Sequence, residues 1–309
     1  MIRKTILLLA TLFQLGFAFC QSTLSTDTSV KVLPHWKKGE THAVFINSST
    51  DDRSDGQTKI CQSAFNASFT VTEKDTSGYI VDWTYTSAKL APNEVVLENN
   101  ILAGLLNTKL SVKLSLTGRF IELLNADEVK AAADKAVDKL IAGSLANPAM
   151  NIQYKTAKQL ISTKQGLEIA LLKQIKFYNI SFGFNYKLNS SQTNKLRIAN
   201  PMGGQPFDAT EKVQLTQLDN NNHTCVIETN KNADGAQLKN SVVEYIKKVS
   251  QKDGNAIEAT LQNEHLELSE NSMQQLDFQK GIVQKSSYTR KMNFSFQSRT
   301  TVLTITAAE

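Results

Sequence analysis

Long apolar runs are missing from this chain once its first twenty residues are past. A membrane-spanning helix needs roughly 20 consecutive apolar residues, and no later segment offers even 18, so the rest of the chain is expected not to cross a membrane as a helix. Concentrated positive charge is missing as well. The formal net charge is +5, Arg3 and Lys4 supply two units of it, and the remaining basic runs are as short as Lys37-Lys38 and Lys247-Lys248. A nucleic-acid binder usually carries a basic patch or stripe, so that class of partner is set aside. Cysteine is scarce, with Cys20, Cys61 and Cys225 and no CxxC pair. Histidine is equally scarce: His35, His42, His223 and His265 show neither HEXXH nor any other metal-ligand spacing. The Gly-x-Ser-x-Gly elbow of many hydrolases is absent. Met202-Gly203-Gly204-Gln205-Pro206, the most glycine-rich spot, lacks the Lys-Ser/Thr of a phosphate loop and reads as a turn. No cofactor is implied and no catalytic residue can be assigned.

Two weaker constellations remain. His223 and Cys225 are two apart and share a strand face, the arrangement of a thiolate beside its base; the competing reading is an Asn-rich turn followed by a buried cysteine. Asp51, Arg53, Asp55 and Gly56, in a polar hairpin tip over residues 48–57, echo a calcium loop without its alternating acids.

What is present begins with the leader. Arg3 and Lys4 precede an apolar stretch, Thr5 to Phe17, and small residues follow at Ala18 and Cys20. These are the three parts of a cleavable secretory signal, so residues 1–20 are read as a signal peptide cut near Cys20-Gln21. The expected location is secreted or periplasmic, in the cell envelope. Cys20 also raises lipidation, which would tether the protein; the bulky Phe19 before it argues against that motif. In an oxidising compartment Cys61 and Cys225 are a disulfide candidate, the alternative being two buried thiols. Six Asn-x-Ser/Thr sites start at Asn47, Asn66, Asn179, Asn189, Asn222 and Asn293.

Residues 21–31 read as a leader segment and 32–309 as a single strand-rich domain. Alternation dominates. Phe65, Ala67, Phe69 and Val71 share one parity, and after a turn at Lys74–Gly78 it resumes with Tyr79, Val81, Trp83 and Tyr85: a long antiparallel hairpin. Leu110–Leu116 and Phe120–Leu124 form a second hairpin, Ile180–Leu188 a further strand, and Ile282–Ile305 the last hairpin. Helices are expected at Ala126–Gly143, with Asn125 as N-cap and Glu128 completing a capping box; over Thr156–Lys176, divided at Gly166; and over Gln237–Val249. The fold class is α+β: a large curved antiparallel sheet, an incomplete barrel, with helices packed on its concave side.

Trp36-Lys37-Lys38-Gly39-Glu40 before a strand, the hairpin Leu110–Leu124 running into the helix at Asn125, and Phe278-Gln279-Lys280-Gly281-Ile282 before the last hairpin together resemble an uncharacterised exported family of Bacteroidota-type bacteria. Its sheets are expected to be half-barrels like those of the lipoprotein carriers LolA and LppX. The resemblance implies an envelope location and, by fold analogy, an apolar ligand; the family lends no catalytic residues.

Trp83, Tyr85, Phe182, Phe184, Phe294 and Phe296 sit on one face of their expected strands. They line a cavity for a lipid or other apolar small molecule, or they fill an ordinary core. The function expected is non-enzymatic binding or carriage of an apolar ligand; the alternative is a structural module that docks to another envelope protein.

Overall fold

The computed structural model describes residues 28–54, 56–91, 96–144, 148–200, 205–250, 266–294 and 297–308. Residues 1–27 with Cys20, and also Asp55, residues 201–204, His265 and Phe296, lie outside them. The strands are β1 (Ser29–Lys31), β2 (Thr41–Ser54), β3 (Gln57–Asp75), β4 (Gly78–Leu90), β5 (Lys109–Leu114), β6 (Phe120–Leu123), β7 (Asn185–Lys187), β8 (Ser191–Ile198), β9 (Phe207–Asp219), β10 (Thr224–Ala233), β11 (Glu267–Asp277), β12 (Ile282–Asn293) and β13 (Gln297–Ala307). The helices are α1 (Leu97–Gly104), α2 (Ala126–Gly143), α3 (Pro148–Leu160), α4 (Lys164–Leu171), α5 (Lys173–Tyr178) and α6 (Gly235–Ser250).

Among the described residues, eleven strands form one antiparallel sheet in the order β6-β5-β4-β3-β2-β13-β12-β11-β10-β9-β8, and its end strands do not pair with one another. The chain thus builds half the sheet outward from β2 to β6, inserts helices, and returns through β8 to β13, which docks on β2. The sheet curls. Tyr178 at the end of α5 packs its ring 5.3 Å from Phe69 on β3 and 5.8 Å from Trp83 on β4, while its hydroxyl accepts a hydrogen bond from the Val283 amide on β12. Between β4 and β12 lie four strand spacings, about 19 Å along a flat sheet, so one side chain can reach both only across a concave face. Trp36 spans the same gap. Its ring touches Phe69 and Tyr79, and its Nε1 donates to the Gly281 carbonyl at 2.7 Å. Gly281 has φ +67, and a Cβ there would stand 2.4 Å from the Leu33 carbonyl oxygen, so this turn needs glycine to let the 33–36 segment close over it.

The hairpin β3–β4 forms as its alternation dictates. Phe65, Phe69, Val71, Val81, Trp83 and Tyr85 are all buried, and Asp75 closes the turn by accepting from the Ser77 and Gly78 amides. The helix α2 starts where its sequence signal lies, but Asn125 makes no side-chain cap. Its Oδ1 accepts from the Ser111 amide, and its Nδ2 donates to the Lys109 carbonyl and to Glu128, so the residue ties the helix to β5 instead.

Several expectations are corrected. The helix expected over Thr156–Lys176 is three helices, interrupted at residues 161–163 and at Leu172; Gly166 lies inside α4, where Thr163 Oγ1 accepts from its amide. A Cβ at Gly166 would fall 1.7 Å from the Leu160 carbonyl oxygen, so the glycine permits a tight interhelical turn and does not break a helix. The strand expected over Ile180–Leu188 shrinks to β7, because turns with Phe182 bonded back to Asn179 and Gly183 at φ +88 occupy its first half. Ser29–Lys31, placed in the leader segment, pairs as β1 with β7, and Val30 is buried. The acids Asp51 and Asp52 belong to β2, not to a hairpin tip. Helix α1 carried no sequence expectation.

Candidate functional site

The inner face of the sheet changes chemistry along its strands. At one end it is apolar: Phe65, Phe69, Trp83, Val112, Ile227, Leu276, Val283 and Ile305 join the buried faces of α1 to α5 in one cluster. At the other end a smaller cluster packs Leu238, Val242 and Val243 of α6 on Phe207, Leu268 and Phe294. Between them a polar row crosses the sheet, because successive partners in register are Asn194, Glu211, Lys231, Glu270, Arg290, Thr301 and Thr50. Charges alternate along it. Asn194 Nδ2 donates to Glu211 at 3.0 Å, Lys231 stands 3.4 Å from Glu211, and Arg290 stands 3.7 Å from Glu270. Opposite charges in facing positions stabilise a sheet and fix its register.

A cleft of about 500 Å³ opens over this row. Its floor comes from β10 to β13, including Thr229, Ser272, Tyr288 and Leu303; Glu98 of α1 stands at its rim, and α5 with the following turn supplies a wall of Lys173, Lys176, Phe177 and Ile180. The wall is anchored. Gln274, 1 % exposed, donates from Nε2 to the Phe177 carbonyl at 2.9 Å and to Ser286 Oγ at 2.8 Å, so the end of α5 is bolted to β11 and β12. Phe177 meets the Tyr288 ring edge-on at 5.7 Å.

Electrostatics inside the cleft are uneven. Lys176 is held 3.6 Å from Glu168 and over the Phe120 ring. Lys173 has no carboxylate at ion-pair distance among the described residues; its Nζ lies 5.2 Å from the Tyr288 ring centre. It reaches solvent yet is crowded by protein, and this desolvation lowers its pKa, as does Arg290, against the opposing pull of Glu98 and Glu270. Burial, with Glu270 beside it, raises the Tyr288 hydroxyl.

The residues singled out by sequence fall elsewhere. Trp83, Tyr85 and Phe182 are almost wholly buried in the larger cluster, where the residual void beside Trp83 is only about 10 Å³. Phe184 is 38 % exposed, against the Arg119 guanidinium, and Phe294 lies under α6. None of these five lines the 500 Å³ cleft. Cys61 on β3 and Cys225 on β10 are buried and not joined to one another. Their strands stand five places apart in the sheet order. Burial and Asp277 push the Cys225 thiol up to about 12, the opposite of an activated nucleophile. His223 instead turns the chain at φ +56. Asp52 binds Arg299 and Gln297, and Asp51 binds Arg53, so both acids already have partners. Among the described residues no three His, Cys, Asp or Glu side chains could hold a metal ion, and no helix is long and apolar enough to cross a membrane. Of the Asn-x-Ser/Thr sites, Asn179 is buried and bonded to the Ile175 carbonyl.

The charged lining was open to sequence reasoning only in part. Lys231 shares parity with Cys225 and Ile227, and Glu270 with Leu276, which marks both as charges on an apolar face. The signal is hidden on β12, where a bulge between Val283 and Lys285 flips the parity: Val283 faces inward before it and Ser286, Tyr288 and Arg290 after it.

No family model matches the chain, and no curated protein matches it. Among solved structures it is similar to one described as "Lipid-protein interactions in lipovitellin", with 9% identity and a TM-score of 0.42. That match covers 88% of this chain and 25% of the other, so the chain spans about a quarter of that protein's length.

Proposed function

We propose that this protein is an exported, non-enzymatic binding protein that carries a small molecule with an apolar body in the cleft between α5 and the β10–β13 floor. The cleft itself carries the reading. Its volume of about 500 Å³ lies within the ~300–1,000 Å³ of ordinary ligand sites, and it combines rings and aliphatic groups with a few convergent polar ones. Phe177, Tyr288 and Leu303 offer the apolar contact, and the charged row marks where a polar end would sit. The leader sequence supports an envelope location.

Purified protein examined by native mass spectrometry, before and after delipidation, tests this. A bound molecule that leaves on delipidation and rebinds is expected. Ser272→Trp, which fills the floor, should abolish rebinding with little change in unfolding midpoint. Rebinding undiminished in that variant would place the ligand elsewhere. Sequencing the amino terminus of exported protein, expected to begin at Gln21, tests the location.

A further inference from the structure

We propose that the ligand carries a single anionic head, a carboxylate or a phosphate monoester, and that Lys173 and Arg290 hold it. This rests on the cleft being a binding site. The lining contains four cations, Lys173, Lys176, Lys231 and Arg290, against two acids, Glu98 and Glu270. Two of the cations are neutralised from outside that set, Lys176 by Glu168 and Lys231 by Glu211. Glu98 of α1 and Lys173 both lie exposed at the edge of the cleft, and Glu98 draws on Lys173 without coming to ion-pair distance. Lys173 is the lining cation left without an ion pair among the described residues, and it leans over the Tyr288 ring into the cleft.

Arg290 supplies the second donor. Its contact with Glu270 is a loose 3.7 Å, and its Nε is buried without a hydrogen bond. A guanidinium has five N–H donors, so most of its capacity remains open. Lys173 and Arg290 are close enough to repel each other, and crowding already disfavours the Lys173 charge. An anion placed between them screens that repulsion and gives Lys173 the ion pair it lacks. A neutral ligand does neither. Tyr288, with Phe177 against its ring, lies under Lys173 and would carry the first part of an apolar body, which continues toward Leu303 and Ile180.

Isothermal titration of delipidated protein with dodecanoate, dodecyl phosphate, dodecanol and methyl dodecanoate, together with acetate and inorganic phosphate, tests the assignment. The two anionic amphiphiles should bind at least about tenfold more tightly than the neutral ones, as a charge-assisted contact implies, and the bare anions should not compete. Lys173→Met should remove that advantage and leave dodecanol binding unchanged; Lys158→Met, outside the cleft at a cation paired with Asp138, should keep it. Equal binding of acid and alcohol, or a Lys173→Met protein that keeps its preference, overturns the anionic head while leaving the cleft as a binding site. Failure of all four amphiphiles to bind overturns both.

Discussion

The two sides of α5 show one sheet in two conditions. Beneath its N-terminal neighbours, Trp36, Phe69, Trp83 and Tyr178 interlock with ring centres 5.2 to 5.8 Å apart and leave about 10 Å³ of space. On its far side, facing β10 to β13, about 500 Å³ stays open. Both regions rest on the same kind of alternating strand, so strand pattern does not separate them. Charge does. Where inner-face positions are apolar, helices must cover them. Where they are Lys231, Glu270 and Arg290, closing a helix over them would strip water from ions at a cost that apolar packing does not return, and the face stays accessible.

The contrast can be broken most strongly from the filled side. Trp83→Ala should destabilise the protein by about 3–5 kcal/mol, since the lost ring cannot be replaced by solvent; denaturant unfolding measures it. A cost below about 1 kcal/mol would mean that the core is looser than its geometry. Leu238→Ala should cost about 2–4 kcal/mol, read by hydrogen exchange as loss of protection in α6 and β9 with β3 and β4 unchanged. Equal loss throughout would show that the two apolar clusters unfold as one. Gln274→Ala removes the bolt between the regions. It strips Ser286 Oγ of its amide partner and the Phe177 carbonyl of one of its bonds, leaving the one from the Ile180 amide, and should cost about 1–3 kcal/mol while weakening ligand binding in the cleft.

Acidification sharpens the contrast further. Burial lowers the pKa of both His35 and His42 on the filled side, so their stabilising effect is complete above ~6.5 and is lost as pH falls through their lower folded values. For Asp52, burial alone would raise the pKa, but the hydrogen bonds from Gln297 and Arg299 and the guanidinium charge outweigh it and lower it. Its contribution is therefore complete above ~3.9 and lost on further acidification. Urea midpoints measured against pH should show two separate declines, and Asp52→Asn should shrink the lower one and leave the upper one unchanged. The smallest effect is expected at Lys158→Ala, which removes an exposed pair with Asp138 and should leave the midpoint unchanged.

Much of the fold was legible residue by residue. Phe65 to Tyr85 announces its hairpin through period-two burial, and α2 and α6 announce themselves through helical spacing and flanking Asn and Gly. The site was far less legible. The aromatic residues that stand out in the sequence fill the core, while most of the cleft lining is lysine, arginine, acids and small polar residues that look like surface residues when read singly. Thr163, Leu172 and Gly183 redirected the chain where local pattern continued smoothly. The bulge on β12 changed which side chains face inward.

By itself the sequence determined an antiparallel, strand-rich α+β chain with helices inserted between strand groups, because backbone periodicity and turn chemistry are local properties. Only the tertiary structure decided that the sheet curls until Tyr178 and Trp36 bridge it, that Cys61 and Cys225 stand five strands apart, and that residues from α5 and four strands enclose a cleft. Those outcomes depend on register and on contacts between residues a hundred or more positions apart, and no local pattern encodes them.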